Sequence, residues 1–282
     1  MILNDNIQNV YSNGNEIQKV YSLGKLVWEK KEVEPIDYSV IPFTIKAVED
    51  VSVGFRNSYS DYTNYVKYSI NGGDWVDPVW HGSEFHYINL KRNDTISVIS
   101  SNDIHDITFN GLADVYGNIL SLKNFDRFLN GDIDGFLTDN ISFEGDIRNA
   151  QNLILPRIVG VGAFSNMFRG CSSLLTAPEL PATTLAKNCY HGMFRGCSSL
   201  TVAPELPASI LAEACYAYMF DGCKKLDYIK CHAIQTNNNW SSDVYDWLDD
   251  ITTTGKLLCK QVDGGKNPLE DYIPDSWTVE YF

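Results

Sequence analysis

The stretch MFRGCSSL at Met193–Leu200 decides the fold, because it recurs at a fixed spacing of 26 residues. The same letters stand at 167–174, and a diverged copy, MFDGCKKL, stands at 219–226. A period of 20–29 residues with recurring leucines predicts a leucine-rich-repeat solenoid, in which each unit contributes one short strand and one short helix. We expect the strand at PELP (178–181 and 204–207) and the helix at 185–197, ended by a glycine. One unit cannot bury its apolar face, so the units must stack.

Five of the seven cysteines fall in the repeats, and they form two columns. One column holds Cys171, Cys197 and Cys223, and the other holds Cys189 and Cys215. No Cys-x-x-Cys pair occurs, which disfavours a zinc site. The pattern favours small buried hydrophobic side chains that pack between units. Disulfides between neighbouring units are the alternative, and the odd count would leave one thiol unpaired or bonded outside the chain.

Upstream of the repeats, short runs of alternating apolar and polar residues predict strands. Asn-Gly-Gly at 71–73 and KRNDT at 91–95 provide turns between them. We therefore predict an antiparallel β-sandwich over residues 33–125, whose last strand lies in 114–125. The candidate strands lie in 38–48, 51–57, 65–70, 86–91, 95–101 and 106–111.

A shorter repeat occupies the N-terminal residues, where IQNVYSNG (7–14) returns as IQKVYSLG (17–24) before KLVWEK (25–30). These runs predict short strands joined by tight turns, too few to form a core alone. We expect residues 1–32 either to pack on their own protein as a hairpin or to dock onto other proteins of an assembly. The docking residues would be Val10, Tyr11, Val20, Tyr21, Val27 and Trp28.

The remaining segments are assigned around the repeats. Residues 126–235 form the predicted repeat domain, and NGDIDG at 130–135 reads as a turn, since it lacks most ligands of a calcium loop. The tail, 236–282, breaks the 26-residue period. We predict that it caps the solenoid, with Trp240, Trp247 and Trp277 covering the last apolar layer.

The composition and charge of the chain argue against some classes of function. The formal charge is −14, which argues against a nucleic-acid surface and against attraction to anionic lipid. The N-terminal MILNDNIQNV has neither the basic nor the apolar region of a signal peptide, and no apolar run is long enough to span a bilayer. We therefore expect no membrane insertion and no visible export signal.

Catalytic motifs are missing from the sequence. It holds no His-Glu-x-x-His, no Gly-x-Ser-x-Gly and no P-loop. In HGSEFH (81–86), His81 and His86 would face opposite sides of a strand, which disfavours a shared metal. Paired carboxylates for sugar cleavage stay open, because sequence does not show their separation. We expect no enzyme activity, no cofactor and no metal.

The stretch MFRGCSSLTVAPELPASILAEACYAYMFDGC (193–223) resembles the BspA-like leucine-rich-repeat proteins of gut Bacteroidales and their phages. DVSVGFRN (50–57) resembles the β-domain that often precedes such repeats, and IPDSWTVEYF (273–282) resembles their ending, so the resemblance begins near Asp37. The first repeat is degenerate, and DVYDWLDD (243–250) is an unusual acidic insert.

Bacterial members of that family are usually secreted or lipid-anchored adhesins. Here IQKVYSLGKLVWEK (17–30) instead resembles docking segments of phage tail and fibre proteins. The combination implies a non-enzymatic virion protein of the tail-fibre or head-fibre type, made in the bacterial host cytoplasm. It would contact other virion proteins through residues 1–30 and a host-surface protein or glycan through the rest. A bacterial surface adhesin and a glycan-cleaving fibre are the alternatives.

Positions that differ between units are the candidate binding surface, because they can specialise without disturbing the stack. One column reads Arg169, Arg195, Asp221, and His191 and Tyr218 stand at neighbouring positions. The alternative is ordinary solvated surface. Fibres are often homo-oligomers, which we expect here too, although no coiled-coil heptad supports a trimer.

Overall fold

The computed structural model describes residues 41–57, 66–77, 86–100, 104–122, 142–237, 239–262 and 265–282, together with the backbone of strands between residues 10 and 29. The chain divides into two compact units, 1–37 and 38–282. The described part is mostly β, which confirms the β-rich class predicted from the sequence. The finer division of the second unit into 33–125, 126–235 and 236–282 stays a prediction.

The first unit contains two antiparallel hairpins. Strand β1 (Val10–Ser12) pairs with β2 (Asn15–Ile17), and β3 (Lys19–Ser22) pairs with β4 (Lys25–Glu29). Short strands separated by one or two turn-forming residues allow only such local pairing. The predicted strands are therefore confirmed at the level of the backbone.

The second unit begins with a curled antiparallel sheet. Its strands are β5 (Phe43–Ala47), β6 (Val51–Asn57), β7 (Val66–Ile70), β8 (His86–Leu90), β9 (Thr95–Ser100) and β10 (Ile104–Asn118). They are ordered β7-β9-β5-β10-β6-β8, while β11 (Ser142–Asn149) and β12 (Leu153–Ile154) join β10 in parallel. All six predicted strands are present.

The predicted two-sheet sandwich is replaced by this one bent sheet. Both β5 and β6 pair with consecutive parts of the long strand β10, through Ala47 opposite Ala113 and Ser52 opposite Asn110. Gly111 lies between those parts at φ +127°, and a Cβ there would stand 2.9 Å from the Asp50 carbonyl oxygen. A glycine thus allows the close approach at the bend. Both halves of the sheet contribute buried side chains to one core.

The exit from the sheet differs from the prediction that 114–125 is a strand. Strand β10 ends at Asn118, and a 3-10 helix, Ile119–Leu122, follows it. The Asn118 side chain explains the change, since its Oδ1 accepts a hydrogen bond from the Leu120 N–H. The short polar side chain thus satisfies the first turn of the helix.

The repeats form stacked turns, and the predicted helix at 185–197 is wrong. Residues 187–196 are a chain of turns in which Asn188, Gly192 and Gly196 have φ of 58°, 60° and 76°. Such left-handed residues at every fourth position interrupt a helix. The two PELP segments are not strands; within them only Leu206 forms an isolated bridge, to Cys231.

Backbone hydrogen bonds join successive turns in a regular way. The N–H groups of Tyr190, Gly192 and Phe194 donate to carbonyls 25 residues onward, at Cys215, Ala217 and Met219. The amides between them donate three residues back within their own turn, as Met193 does to Tyr190. Alternate amides therefore hold each turn and bind the next one, so the backbone polar groups are satisfied without helices.

Aromatic side chains align through the core of the stack. Phe168, Phe194 and Phe220 stack with ring centroids 5.6 Å apart in both steps, and all three are fully buried. The series extends back through Phe143 to Phe43 of β5, which joins the sheet to the repeats. Identical residues at each period thus build one continuous core.

The tail continues the stack, although its sequence departs from the 26-residue period. The N–H groups of Tyr218, Phe220 and Gly222 donate to the carbonyls of Tyr245, Trp247 and Asp249. DVYDWLDD is therefore a fourth turn, offset by two extra residues. Trp247 and Trp277 are buried and Trp240 is partly buried against the same core, and their role as a cap stays a prediction.

Short parallel strands run beside the turns. β13 (Ile210–Leu211) pairs with β15 (Gln235–Thr236), and β14 (Tyr228–Cys231), β16 (Lys256–Cys259) and β17 (Thr278–Tyr281) form a parallel sheet in that order. Helix α1 (Trp240–Asp243) and a 3-10 helix, Pro268–Tyr272, complete the tail. Among the described residues, no helix has the length and apolar character needed to cross a bilayer.

Candidate binding surface

An aromatic row crosses the outer side of the stacked turns. The rings of His191 and Tyr218 meet edge to face at 5.4 Å, and those of Tyr218 and Tyr245 at 5.3 Å. Met193 and Phe194, close in sequence to His191, are fully buried, so the turn divides core residues from residues that reach solvent. The row therefore joins side chains of three successive turns into one surface.

Arg195 connects this row to the acidic residues. Its Nε lies 2.7 Å from Oδ2 of Asp221, and its guanidinium carbon lies 4.9 Å from the centre of the Tyr218 ring. An ion pair and a cation–π contact thus fix one side chain on two sides. The partners come from the next turn, because stacking brings residues 23 to 26 positions apart into contact.

Of the five predicted surface residues, the structure brings together His191, Arg195, Tyr218 and Asp221. Arg169 is exposed one turn earlier, and its positive charge contributes to the lowered pKa of His191. The cluster is thus a row with a positive end at Arg169 and Arg195 and an acidic end beyond Asp221. That arrangement suits non-covalent recognition of a ligand that extends along the stack.

The electrostatic environment differs between the two ends. Burial lowers the pKa of His191, and the charges of Arg195 and Arg169 lower it further, so the imidazole is neutral near pH 7. Burial raises the pKa of Asp221, and the carboxylates of Asp249, Asp246 and Asp250 add to that rise against the opposing effect of Arg195. The acidic end therefore has an excess of negative charge.

Sequence reasoning missed the fourth turn's contribution to this surface. Tyr245, which extends the aromatic row, and Asp246 and Asp249, which surround Asp221, all belong to DVYDWLDD. A signal was present: VYDWLDD at 244–250 repeats the pattern of YAYMFDG at 216–222, with Trp in place of Met and Asp in place of Gly. The changed period concealed it.

The cysteine columns lie on the opposite, interior side of the turns. All seven thiols are buried and none forms a disulfide. The Cys197 and Cys223 S–H groups donate to the carbonyls of Phe168 and Phe194 in the preceding turns, each at 3.1 Å. Burial raises the pKa of Cys223 to about 12, so its thiol stays protonated and unreactive at neutral pH.

A second charged cluster ties the C-terminus to the repeats. Glu205 Oε1 lies 2.8 Å from Lys230 Nζ and 2.6 Å from His232 Nε2, and the Phe282 ring packs edge to face on His232 at 4.8 Å. The Lys230 hydrogen bond lowers the pKa of Glu205 against the effect of burial. Each charge in this cluster has a partner, so we assign the cluster a structural role and not a catalytic or binding one.

Other predicted sites fall partly outside the described residues. His81, Glu84 and the NGDIDG segment (130–135) lie outside them, and His86 sits on β8 with its ring 6.1 Å from that of Tyr68. Within the described ranges, no three His, Cys, Asp or Glu side chains converge as a metal site would require.

The six predicted docking residues lie on the hairpin strands of the first unit. Val10 and Tyr11 are on β1, Val20 and Tyr21 are on β3, and Val27 and Trp28 are on β4. The backbone register places Val20 opposite Trp28 and Val10 opposite Ile17. Their side chains lie outside the described residues, so their docking role stays a prediction.

Comparison of the chain with protein-family models, with curated proteins and with solved structures finds no match in any of the three.

Proposed function

We propose that this chain is a non-enzymatic bacteriophage virion protein of the tail-fibre or head-fibre type. Its N-terminal unit attaches it to the particle, and the stacked turns bind a protein or glycan on the host surface. The observation that carries the proposal is the aromatic and charged row, in which His191, Tyr218 and Tyr245 continue across three turns. Arg195 and Asp221 supply the polar contacts beside it.

The finer fold belongs to the same proposal: a short BspA-like leucine-rich-repeat solenoid that starts on the β-domain. Its support is the 26-residue period, the bonds between turns and the buried leucines Leu174, Leu200 and Leu226 at one position of each unit. The extended display of variable side chains on a repetitive core is how solenoids bind partners.

The attachment role rests on the first unit. Residues 1–37 form a compact unit of their own, and their two hairpins carry the repeated Val-Tyr pairs. A unit this small needs a partner surface to bury those side chains. The partners would be other virion proteins, the protein would reside in the virion after synthesis in the host cytoplasm, and it would act as a homo-oligomer.

Two experiments test the two halves of this proposal separately. Deletion of residues 1–30 is expected to abolish incorporation into particles while the remainder keeps its circular dichroism spectrum. Normal incorporation would exclude the attachment role. Failure to co-purify with any particle, combined with neighbouring genes for surface export, would favour the bacterial adhesin instead.

Binding to host cells tests the surface. Arg195→Ala and Tyr218→Ala are expected to lower cell binding by tenfold or more if they lie at the centre of the contact. Lys46→Ala removes an exposed positive charge from β5 instead and serves as the control. Shortened products from host capsular polysaccharide would support the glycan-cleaving alternative.

A further inference from the structure

The last stacked turn differs from the turns before it in the pairing of its backbone amides. In the preceding turn, the N–H groups of Tyr218 and Phe220 donate to carbonyls of the fourth turn. The equivalent amides of the fourth turn are those of Asp246 and Leu248, and within the described part of the chain neither has an acceptor. They lie two residues apart, the spacing at which each turn binds the next.

A pocket adjoins the two residues that carry these amides. Its volume is about 300 Å³, and both Asp246 and Leu248 line it. The other lining residues are Val244, Trp247, Asp249, Tyr272, Ile273 and Pro274. The pocket lining therefore combines apolar residues with Asp246 and Asp249, and it includes both residues whose amides would pair with a fifth turn.

The charge at this edge indicates what it binds. Asp246 and Asp249 are exposed, and neither belongs to an ion pair in the described part of the chain, whereas Asp250 lies 3.1 Å from Lys224 Nζ. Two uncompensated carboxylates beside hydrogen-bond donors favour a ligand that has both carbonyl oxygens and positive charge. An extended peptide with lysine or arginine side chains meets both requirements.

We propose that the edge of the fourth turn binds an extended basic segment of a partner protein, which adds to the stack as a further strand. Carbonyls two residues apart in that segment accept from the N–H groups of Asp246 and Leu248. Its basic side chains pair with the carboxylates of Asp246 and Asp249. The site lies at the acidic end of the candidate surface, and its test measures peptide binding at Asp246 and Asp249, whereas the host-cell test measures binding at Arg195 and Tyr218.

The test uses the full chain and a fluorescent peptide of alternating lysine and valine, with binding followed by fluorescence anisotropy. Asp246→Asn and Asp249→Asn are each expected to weaken binding roughly two- to fivefold. Asp250→Asn is the matched control, expected to change binding less than twofold. Asp246 and Asp250 share a left-handed backbone, with φ of 46° and 49°, and asparagine adopts that conformation readily.

Hydrogen exchange tests the backbone pairing. Bound peptide is expected to slow exchange of the Asp246 and Leu248 amides, while a peptide with glutamate in place of lysine has no effect. Equal peptide binding by Asp246→Asn, Asp249→Asn and Asp250→Asn would show only a general attraction of the basic peptide to an acidic protein. Peptide binding without slower exchange of the Asp246 and Leu248 amides would refute strand addition. Self-association that is lost in Asp246→Asn would show a second copy at the edge and overturn the proposal.

Discussion

Replacement of Phe194 by leucine tests whether the aromatic series stabilises the stack. Phe194 lies between two parallel rings, those of Phe168 and Phe220, at 5.6 Å on each side. Phe220 has Phe194 on one side, while its equivalent in the fourth turn is Leu248. Both Phe194 and Phe220 are fully buried, so a leucine at either site loses the same apolar volume.

The difference between the two variants isolates one ring pair. Phe194→Leu removes two stacked pairs and Phe220→Leu removes one, and each pair contributes about 0.5–1.5 kcal/mol beyond its buried area. We therefore expect Phe194→Leu to lower the free energy of unfolding by about 1 kcal/mol more than Phe220→Leu. In a domain of this size that difference corresponds to a Tm lower by about 2–4 °C.

Urea denaturation followed by circular dichroism measures both changes. Equal m-values for the two variants would show that they unfold the same cooperative unit, so that their midpoints can be compared. If Phe220→Leu costs as much as Phe194→Leu, ring stacking contributes nothing measurable, and the series merely reflects apolar packing at a repeated position.

Three further outcomes follow from local geometry. Gly117→Ala is expected to cost more than about 3 kcal/mol, because a Cβ would overlap the Pro42 carbonyl oxygen; Gly162→Ala, also left-handed but with open space around it, should cost about 1 kcal/mol in a thermal melt. Asn267→Ala should cost about 2–4 kcal/mol, since its buried side chain donates to the carbonyls of Ala233 and Lys260 and caps a 3-10 helix. Burial raises the pKa of the Cys223 thiol from near 9 to about 12. Stability should therefore fall as pH rises from about 9 to 12, and Cys223→Ala should reduce that slope by about 1.4 kcal/mol per pH unit in urea melts.

The strands of the sheet could be predicted because their sequence period matches their structure. In β8 the buried residues Ile88 and Leu90 alternate with the exposed Tyr87 and Asn89, as a half-buried strand requires. How the strands associate could not be predicted in the same way. The bend at Gly111 depends on one residue's backbone freedom and on pairing with residues far away in the sequence, such as Asn110 with Ser52, which local periodicity does not report.

The repeat region shows a different limit. The spacing of Cys189, Met193 and Cys197 by four fits a helix, but it also fits consecutive turns that repeat every four residues. Gly192 and Gly196, likewise four apart, favour the second interpretation because both adopt the left-handed conformation. The aromatic row on the outer side could be predicted from the sequence only in part, because Tyr245 belongs to the fourth turn, which is offset by two residues.

The backbone groups at the two ends of the stack find their hydrogen-bond partners in different ways. This asymmetry follows from the direction of the hydrogen bonds between turns. At the first end, the parallel partner of β11 is β10, a strand already bonded to β5 and β6, so the sheet supplies a satisfied backbone on which the turns begin. Toward the last end, each turn donates alternate amides to the turn that follows it. In the fourth turn, the Asp250 amide donates to the Asp249 side chain. The described part of the chain offers no carbonyl to the amides of Asp246 and Leu248. A repetitive array can start on any strand that presents acceptors and donors in register. It can end only where something accepts its last amides, and for Asp246 and Leu248 no such acceptor lies in the described part of the chain, so a partner segment can supply it.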